Sequence, residues 1–329
     1  MTTKTRYFVI VSLLVLTVGL GTGLLAYYVG FPPVASQGQG LAELRLVPPN
    51  ASLVAFAEVR QIMASPLRQK LSSILPLHAT DRQGFQAQTG INVETDIDHV
   101  VASLVESPDP TTGRGSAFVI ARGRFDVVKI EALMRDHGGR PDQYKGRRVI
   151  DGGPNPDAPT LSLAFVEPGL IAAGSASLVR SAIDRADGGP NVTSNNELMN
   201  LVRDQTGNAW AAGRFDALAA RAHLPATVSG QLPAIAWFSA GATIDTGIGG
   251  TIRAEASDEQ AAANLRDVVR GMISLAKLQS SSYPQMQQVL NSFQIGGSGK
   301  TVTLAFDVPG TVIDALANGF SQAAPSRLR

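Results

Sequence analysis

GSAFVIARGRFDVVKIEALMRDHGG, Gly115–Gly139, reads as a buried strand, a cap, a helix and a glycine stop. Ala117–Ala121 is a short run of apolar, β-branched and aromatic residues, which favours a strand. Asp126 stands where a helix N-cap belongs, with a carboxylate able to accept from the free amides of the first turn. Val127, Ile130, Leu133 or Met134, and His137 then recur at helical spacing as one apolar stripe. Gly138-Gly139 closes the helix, because glycine takes the left-handed conformation without a Cβ clash.

Working outward, the same pattern recurs. Trp210-Ala211-Ala212 leads into a second GRFD, Gly213–Asp216, matching Gly123–Asp126. Leu170–Gly189 repeats it more loosely, with Ser175 or Ser177 as cap and a helix to Ala186. In Thr251–Ala276 the strand TIRAEA is followed by Ser257 and Gln260, spaced as a capping box. The repetition suggests two duplicated halves, residues 41–190 and 191–322, in which Phe125 and Phe215 are equivalent and Asp126 and Asp216 each cap a helix. The alternative is that such units are common to α/β chains and imply no shared origin.

The 329 residues allow one large or two ordinary domains, and 44% hydrophobic content is ample for a core. There is no cysteine, so disulfides, thiolate metal ligands, a thiol nucleophile and a lipidated cysteine are all excluded. Tyr7–Phe31 is 25 residues without a charge. As a helix it would be about 37 Å long, enough to span a hydrocarbon core of about 30 Å with some tilt. Lys4 and Arg6 precede it and the first charge after it is Glu43, so the positive-inside rule puts the N-terminus in the cytoplasm and the rest outside. This reading makes residues 1–31 a cytoplasmic N-terminus and transmembrane anchor. The competing reading is a signal peptide cleaved near Val34-Ala35-Ser36, although the run is longer than such a segment needs. Gly19-x-x-x-Gly23 matches a helix-dimer motif that glycine-rich membrane helices often carry. Past the anchor, the chain holds 26 of the 28 basic residues against all 27 acidic ones. That balance argues against nucleic acid as a partner.

Residues 32–40 (PPVASQGQG from Pro32) form a linker, and folding begins near Leu41. Ser52–Val59 reads as a strand, and Arg60–Leu75 as a helix interrupted near Pro66. Thr95 and Asp98 read as a capping pair opening a helix over His99–Leu104. Gln143–Ile150 and Thr160–Phe165 read as strands, and Pro190–Asn196 as the boundary between halves. Ala234–Ile244 with Gly247–Ala256 reads as a hairpin, followed by a helix to about Leu278 and a shorter one over Pro284–Phe293. A last hairpin, Phe293–Ile295 with Thr301–Val308, and a helix over Val312–Phe320 complete the chain, with 323–329 as a tail. Hairpins mixed with helices predict an α+β fold, mostly antiparallel sheet with helices on one face.

Several motifs invite chemistry. Gly296–Thr301, GGSGKT, resembles a phosphate-binding loop, but Gln294 stands where the first glycine is needed, and TVTLAF after it alternates as a strand, not a helix. His78, His99, His137 and His223 show no ligand spacing. Glu94, Asp96, Asp98 and His99 are the densest acidic cluster, but His99 occupies the place a calcium loop gives to glycine. Gly174-Ser175-Ala176-Ser177 lacks the closing glycine of a nucleophile elbow. No catalytic, cofactor-binding or metal-binding residue is therefore assigned.

Leu46–Leu75, which contains LVPPNASLVAFAEVRQIMASPLRQKL, resembles the opening of uncharacterised membrane-anchored or secreted bacterial envelope proteins. Gly84–Thr95 and the ARGRFD segment are similar too, and the resemblance covers roughly residues 41–190. It implies an envelope protein and supplies no catalytic residue. The expected role is a membrane-anchored module, held by Tyr7–Phe31, whose extracytoplasmic region binds or scaffolds a protein partner. The alternatives are an anchored hydrolase of an envelope polymer and a carrier of an apolar ligand.

Overall fold

The structure, a computed structural model, describes residues 40–74, 86–87, 90–105, 116–153, 161–217, 234–280 and 284–314. Tyr7–Phe31, the linker and the tail lie outside them. Among the described residues no helix is long and apolar enough to cross a membrane. The fold is α+β with antiparallel pairing, and the chain divides into two compact units. Of the described residues, the first takes those from 40 to 64 and from 86 to 204, and the second those from 65 to 74 and from 205 onward. The turn at 190–196 leads into a helix, Asn196–Arg203, that clusters with the first unit.

In the first unit, α1 (Gly40–Glu43) runs into a 3-10 turn, Leu44–Leu46. β1 (Ala51–Ala57) follows, buried at all seven positions because small and apolar residues face both ways. α2 (Val59–Ala64) and, after residues that belong to the second unit, α4 (Val93–Asp96) lead to β2 (Ile97–Val105). This corrects the helix expected over His99–Leu104. Asn92, not Thr95, caps the short α4, and its side chain accepts from the Glu94 amide. Asp98 pairs with Arg60. β3 (Ser116–Gly123) ends at the first GRFD, and Asp126 caps α5 (Val127–Asp136) as expected, accepting from the Val128 and Lys129 amides at 3.1 Å each. His137 at its end is exposed instead of lying on the apolar stripe.

The expected strand over Gln143–Ile150 is a hairpin: β4 (Arg140–Tyr144) and β5 (Arg147–Asp151) flank the turn Lys145-Gly146. β6 (Ser162–Glu167) and β7 (Leu170–Gly174) come next, then α6 (Ala176–Ala186), capped by Ser175, and α7 (Asn196–Arg203). The strands lie in the order β1-β2-β3-β7-β6-β5-β4. Leu44, Leu46, Phe118, Ile120, Ile150, Leu170, Ile183 and Leu198 fill the core.

The second unit includes α3 (Pro66–Ile74), whose Leu67 amide donates to the Asp245 carbonyl at 2.9 Å and whose Lys70 pairs with Asp314 at 3.0 Å. β8 (Ala209–Arg214) carries the second GRFD into a helical turn at 215–217. The β9 (Ile235–Ile244) and β10 (Ile248–Ala256) hairpin precedes α8 (Glu259–Gln279). Asp258, not Ser257, caps that helix, accepting from the Ala261 amide at 2.7 Å. α9 (Pro284–Ser292), β11 (Gln294–Gly296) and β12 (Thr301–Val308) complete the order β8-β9-β10-β12-β11. The register puts Ala254, Val302, Phe306 and Val308 on one face, where Ala261, Leu265 and Val289 of the helices pack. Residues 310–314 begin a further helix.

Each unit thus sets three strands side by side in chain order, and a last strand returns to pair with the third, through four strands in the first unit and two in the second. In this scheme the two GRFD segments are not equivalent. The first closes the third strand of its unit and the second closes the first strand of its own. The equivalence of Phe125 and Phe215 is therefore corrected. Asp216 also differs from Asp126. It lies inside the helical turn and bonds Arg214 and the adjacent Ala217 amide instead of reaching two or three residues on.

Candidate functional site

GLAELRLV, Gly40–Val47, places charged Glu43 and Arg45 among apolar neighbours, and folding sorts them. Leu44, Leu46 and Val47 are fully buried. Glu43 is buried with them, only 2% exposed, and a carboxylate taken from water this far needs polar partners around it.

Two strands supply them. His99 on β2 and Arg122 on β3 are direct partners across the antiparallel pair. Opposed residues project to the same face. Arg122 Nε donates to Glu43 Oε1 at 2.6 Å. His99 Nε2 lies 3.2 Å from Glu43 Oε2. The Phe56 ring covers the imidazole at 5.7 Å between centroids. A second carboxylate, Glu167 at the end of β6, accepts from Arg45 Nη2 at 2.5 Å and sits 3.8 Å from Arg122. Burial pushes the Glu43 carboxyl up, but the adjacent His99 and Arg122 outweigh it and hold the group below its ordinary value.

The main chain of the same segment is also tied down. Arg185 of α6, itself 7% exposed, donates through Nε to the Leu46 carbonyl at 2.6 Å and stacks over Phe118. Burial brings the Arg185 guanidinium down to about 10. The Val192 amide donates to the Val47 carbonyl at 3.0 Å. Five consecutive residues, Glu43–Val47, are thus held by β2, β3, β6, α6 and the turn after it. A carboxylate depressed in pKa and gripped by a guanidinium is a weak base and a poor nucleophile, so the arrangement suits fastening better than proton transfer.

A second charged array joins the β4–β5 hairpin to α6. Arg180 bonds Asp151 through both nitrogens, at 2.9 and 2.6 Å, and Asp142 at 2.9 Å. Arg147 pairs with Asp187 at 2.8 Å, and Lys145 with Asp184 at 2.6 Å. Hydrogen bonds from Arg180 hold the Asp151 carboxyl below its ordinary value. These pairs are largely exposed, so their worth is mainly geometric.

The motifs singled out in the sequence fall elsewhere. GGSGKT is the β11–β12 connection, with Gly297 and Gly299 at φ +95° and +55° and the threonine opening a strand. Lys300 Nζ donates to the Ser257 carbonyl at 2.9 Å, and Arg266 spans the Gly299 and Thr301 carbonyls. Of the acidic cluster, Asp96 accepts from the Asn92 amide at 2.8 Å, and Asp98 is taken by Arg60. Among the described residues no three or more histidine or acidic side chains could hold a metal ion. His78 and His223 lie outside those residues. Ser175 is a helix cap. Sequence reasoning passed over Glu43, Arg45, Arg122 and Glu167. The one signal was the lone glutamate and arginine inside an otherwise apolar octapeptide.

No family model matches the chain, and no curated protein matches it. Among solved structures it is similar to TP0453 in its crystal form I, at 9% sequence identity and a TM-score of 0.49, over 84% of this chain and 97% of that one.

Proposed function

We propose that the protein is a single-pass, membrane-anchored envelope protein whose extracytoplasmic region binds or scaffolds a partner. The uncharged run Tyr7–Phe31, with Lys4 and Arg6 before it and no charge until Glu43, supports the anchor and its orientation. The observation that carries the reading is the fastening of Glu43–Val47. The first folded residues after the linker are locked into the core by buried charge, main-chain bonds and three buried apolar side chains. A region whose first folded residues are held this firmly offers its surfaces on a rigid base, as a scaffold requires. The carboxylates in the cluster are engaged by guanidinium groups, which speaks against the anchored hydrolase.

Because the chain has no cysteine, single cysteines report topology cleanly. Gln143→Cys, on an exposed strand, should react with a membrane-impermeant maleimide in intact spheroplasts, and Thr3→Cys only after permeabilisation. The reverse pattern would overturn the orientation. Loss of an N-terminal tag from the mature chain would replace the anchor with a cleaved leader.

A further inference from the structure

Strand β4 ends the strand order of the first unit, and a sheet edge is ordinarily a template for another strand. The chemistry of this edge is unusual. Lys145 and Gly146, the two turn residues, have φ of +49° and +74°, the signature of a two-residue type I′ hairpin. Such a turn makes Tyr144–Arg147 the closing hydrogen-bonded pair. Alternation along an antiparallel ladder then turns the amides of Tyr144, Asp142 and Arg140 towards β5. The outward positions are 143 and 141. Pro141 has no N–H to offer. The Gln143 N–H is already taken by Asp142 Oδ1, at 2.7 Å. The same Asp142 carboxylate is steadied by Arg180, which also grips Asp151 at the end of β5.

We infer that Pro141 and Asp142 close the β4 edge to strand addition by a second copy of this chain. Every outward amide of the strand is either missing or satisfied from within. What remains is a pair of outward carbonyls, and half a ladder does not bind a strand. The inference goes beyond the scaffolding role, because it says how copies of this chain avoid pairing through this edge. It stands whether or not the proposed function does.

The test uses the full chain in detergent micelles. Gln143→Cys serves as a reporter in two backgrounds: the parent, and the double variant Pro141→Val with Asp142→Ala. On mild oxidation the double variant should give several-fold more disulfide-linked dimer than the parent background, rising with protein concentration. Dimers formed through the anchor would appear equally in both and cancel. Equal yields, with thermal unfolding of both chains unchanged, would overturn the inference. A second measurement does not need the double variant. In the parent, the Gln143 amide should exchange with deuterium more slowly than an open edge amide, and Asp142→Asn, which keeps an oxygen acceptor, should preserve that protection. Exchange of Gln143 at the rate of a fully exposed amide would equally overturn it.

Discussion

The two units both bring a last strand back beside the third, one with seven strands and the other with five, but are packed differently. Among the described residues, Leu67 alone of the largest fully buried side chains belongs to the second unit; Phe118, Leu44, Leu46, Ile120, Ile150, Leu170, Ile183 and Leu198 all lie in the first. Alanine makes up three of the five buried members of one second-unit cluster, Ala256, Ala261 and Ala262. Burial scales with apolar area, so each buried member of that alanine-rich cluster contributes less than a leucine, isoleucine or phenylalanine of the first core.

The contrast can be broken by truncating one large side chain in each unit. Phe118→Ala should cost about 4 kcal/mol, and Leu265→Ala about 2 kcal/mol, because small neighbours leave less to collapse around. Urea unfolding of the full chain should show two transitions, with each variant moving only its own. If Leu265→Ala costs more than Phe118→Ala, the ranking of the cores is wrong.

Glu43→Ala comes next. It leaves Arg122 and the buried His99 without their carboxylate and should destabilise the first unit by about 3 kcal/mol, with the second unit's transition unmoved. Acid should reproduce part of this loss. The folded Glu43 carboxyl lies below its unfolded value of 4.5, so its contribution is complete above that value and fades as pH falls through the lower, folded one. The parent's first transition should therefore drop on acidification below pH 4.5 by more than that of Glu43→Gln. Parallel pH profiles would remove Glu43 from the account.

The smallest effect separates the two GRFD junctions. Asp126→Ala removes a cap from two amides and should cost about 1 kcal/mol. Asp216→Ala loses an exposed pair with Arg214 and one adjacent amide, and should fall within about 0.5 kcal/mol of the parent. Equal costs at the two sites would restore their equivalence.

What was legible in the sequence was local. Asp126, Ser175 and Gly138 announce themselves because caps and glycine stops act over three or four residues. The β9–β10 hairpin shows because its alternation is long. β2 was misread because Thr95 and Asp98, natural caps, stand before and at its start, while the pairing that makes it a strand comes from β1 and β3. The β4–β5 turn hid behind a lysine, since Lys145 takes a left-handed conformation more usual for asparagine or glycine. The Glu43 cluster was invisible for a stronger reason. Its partners lie far along the chain, with Arg122 79 residues away, and no periodicity links them. The repeated GRFD misled because identical letters can end different strands.

Helix α3 carries a consequence for the way the protein is made. It leaves the ribosome among first-unit residues, yet Leu67 finds the Asp245 carbonyl, and Lys70 finds Asp314, only in the second unit. During synthesis, the first unit can assemble around a segment that has nowhere to dock. Domains generally fold in order of emergence, so this helix must wait, with its apolar side unclaimed, until nearly the whole chain has arrived. Premature truncation anywhere between the units would then leave behind a folded first unit trailing an orphaned helix, a shape that quality-control proteases are well suited to recognise.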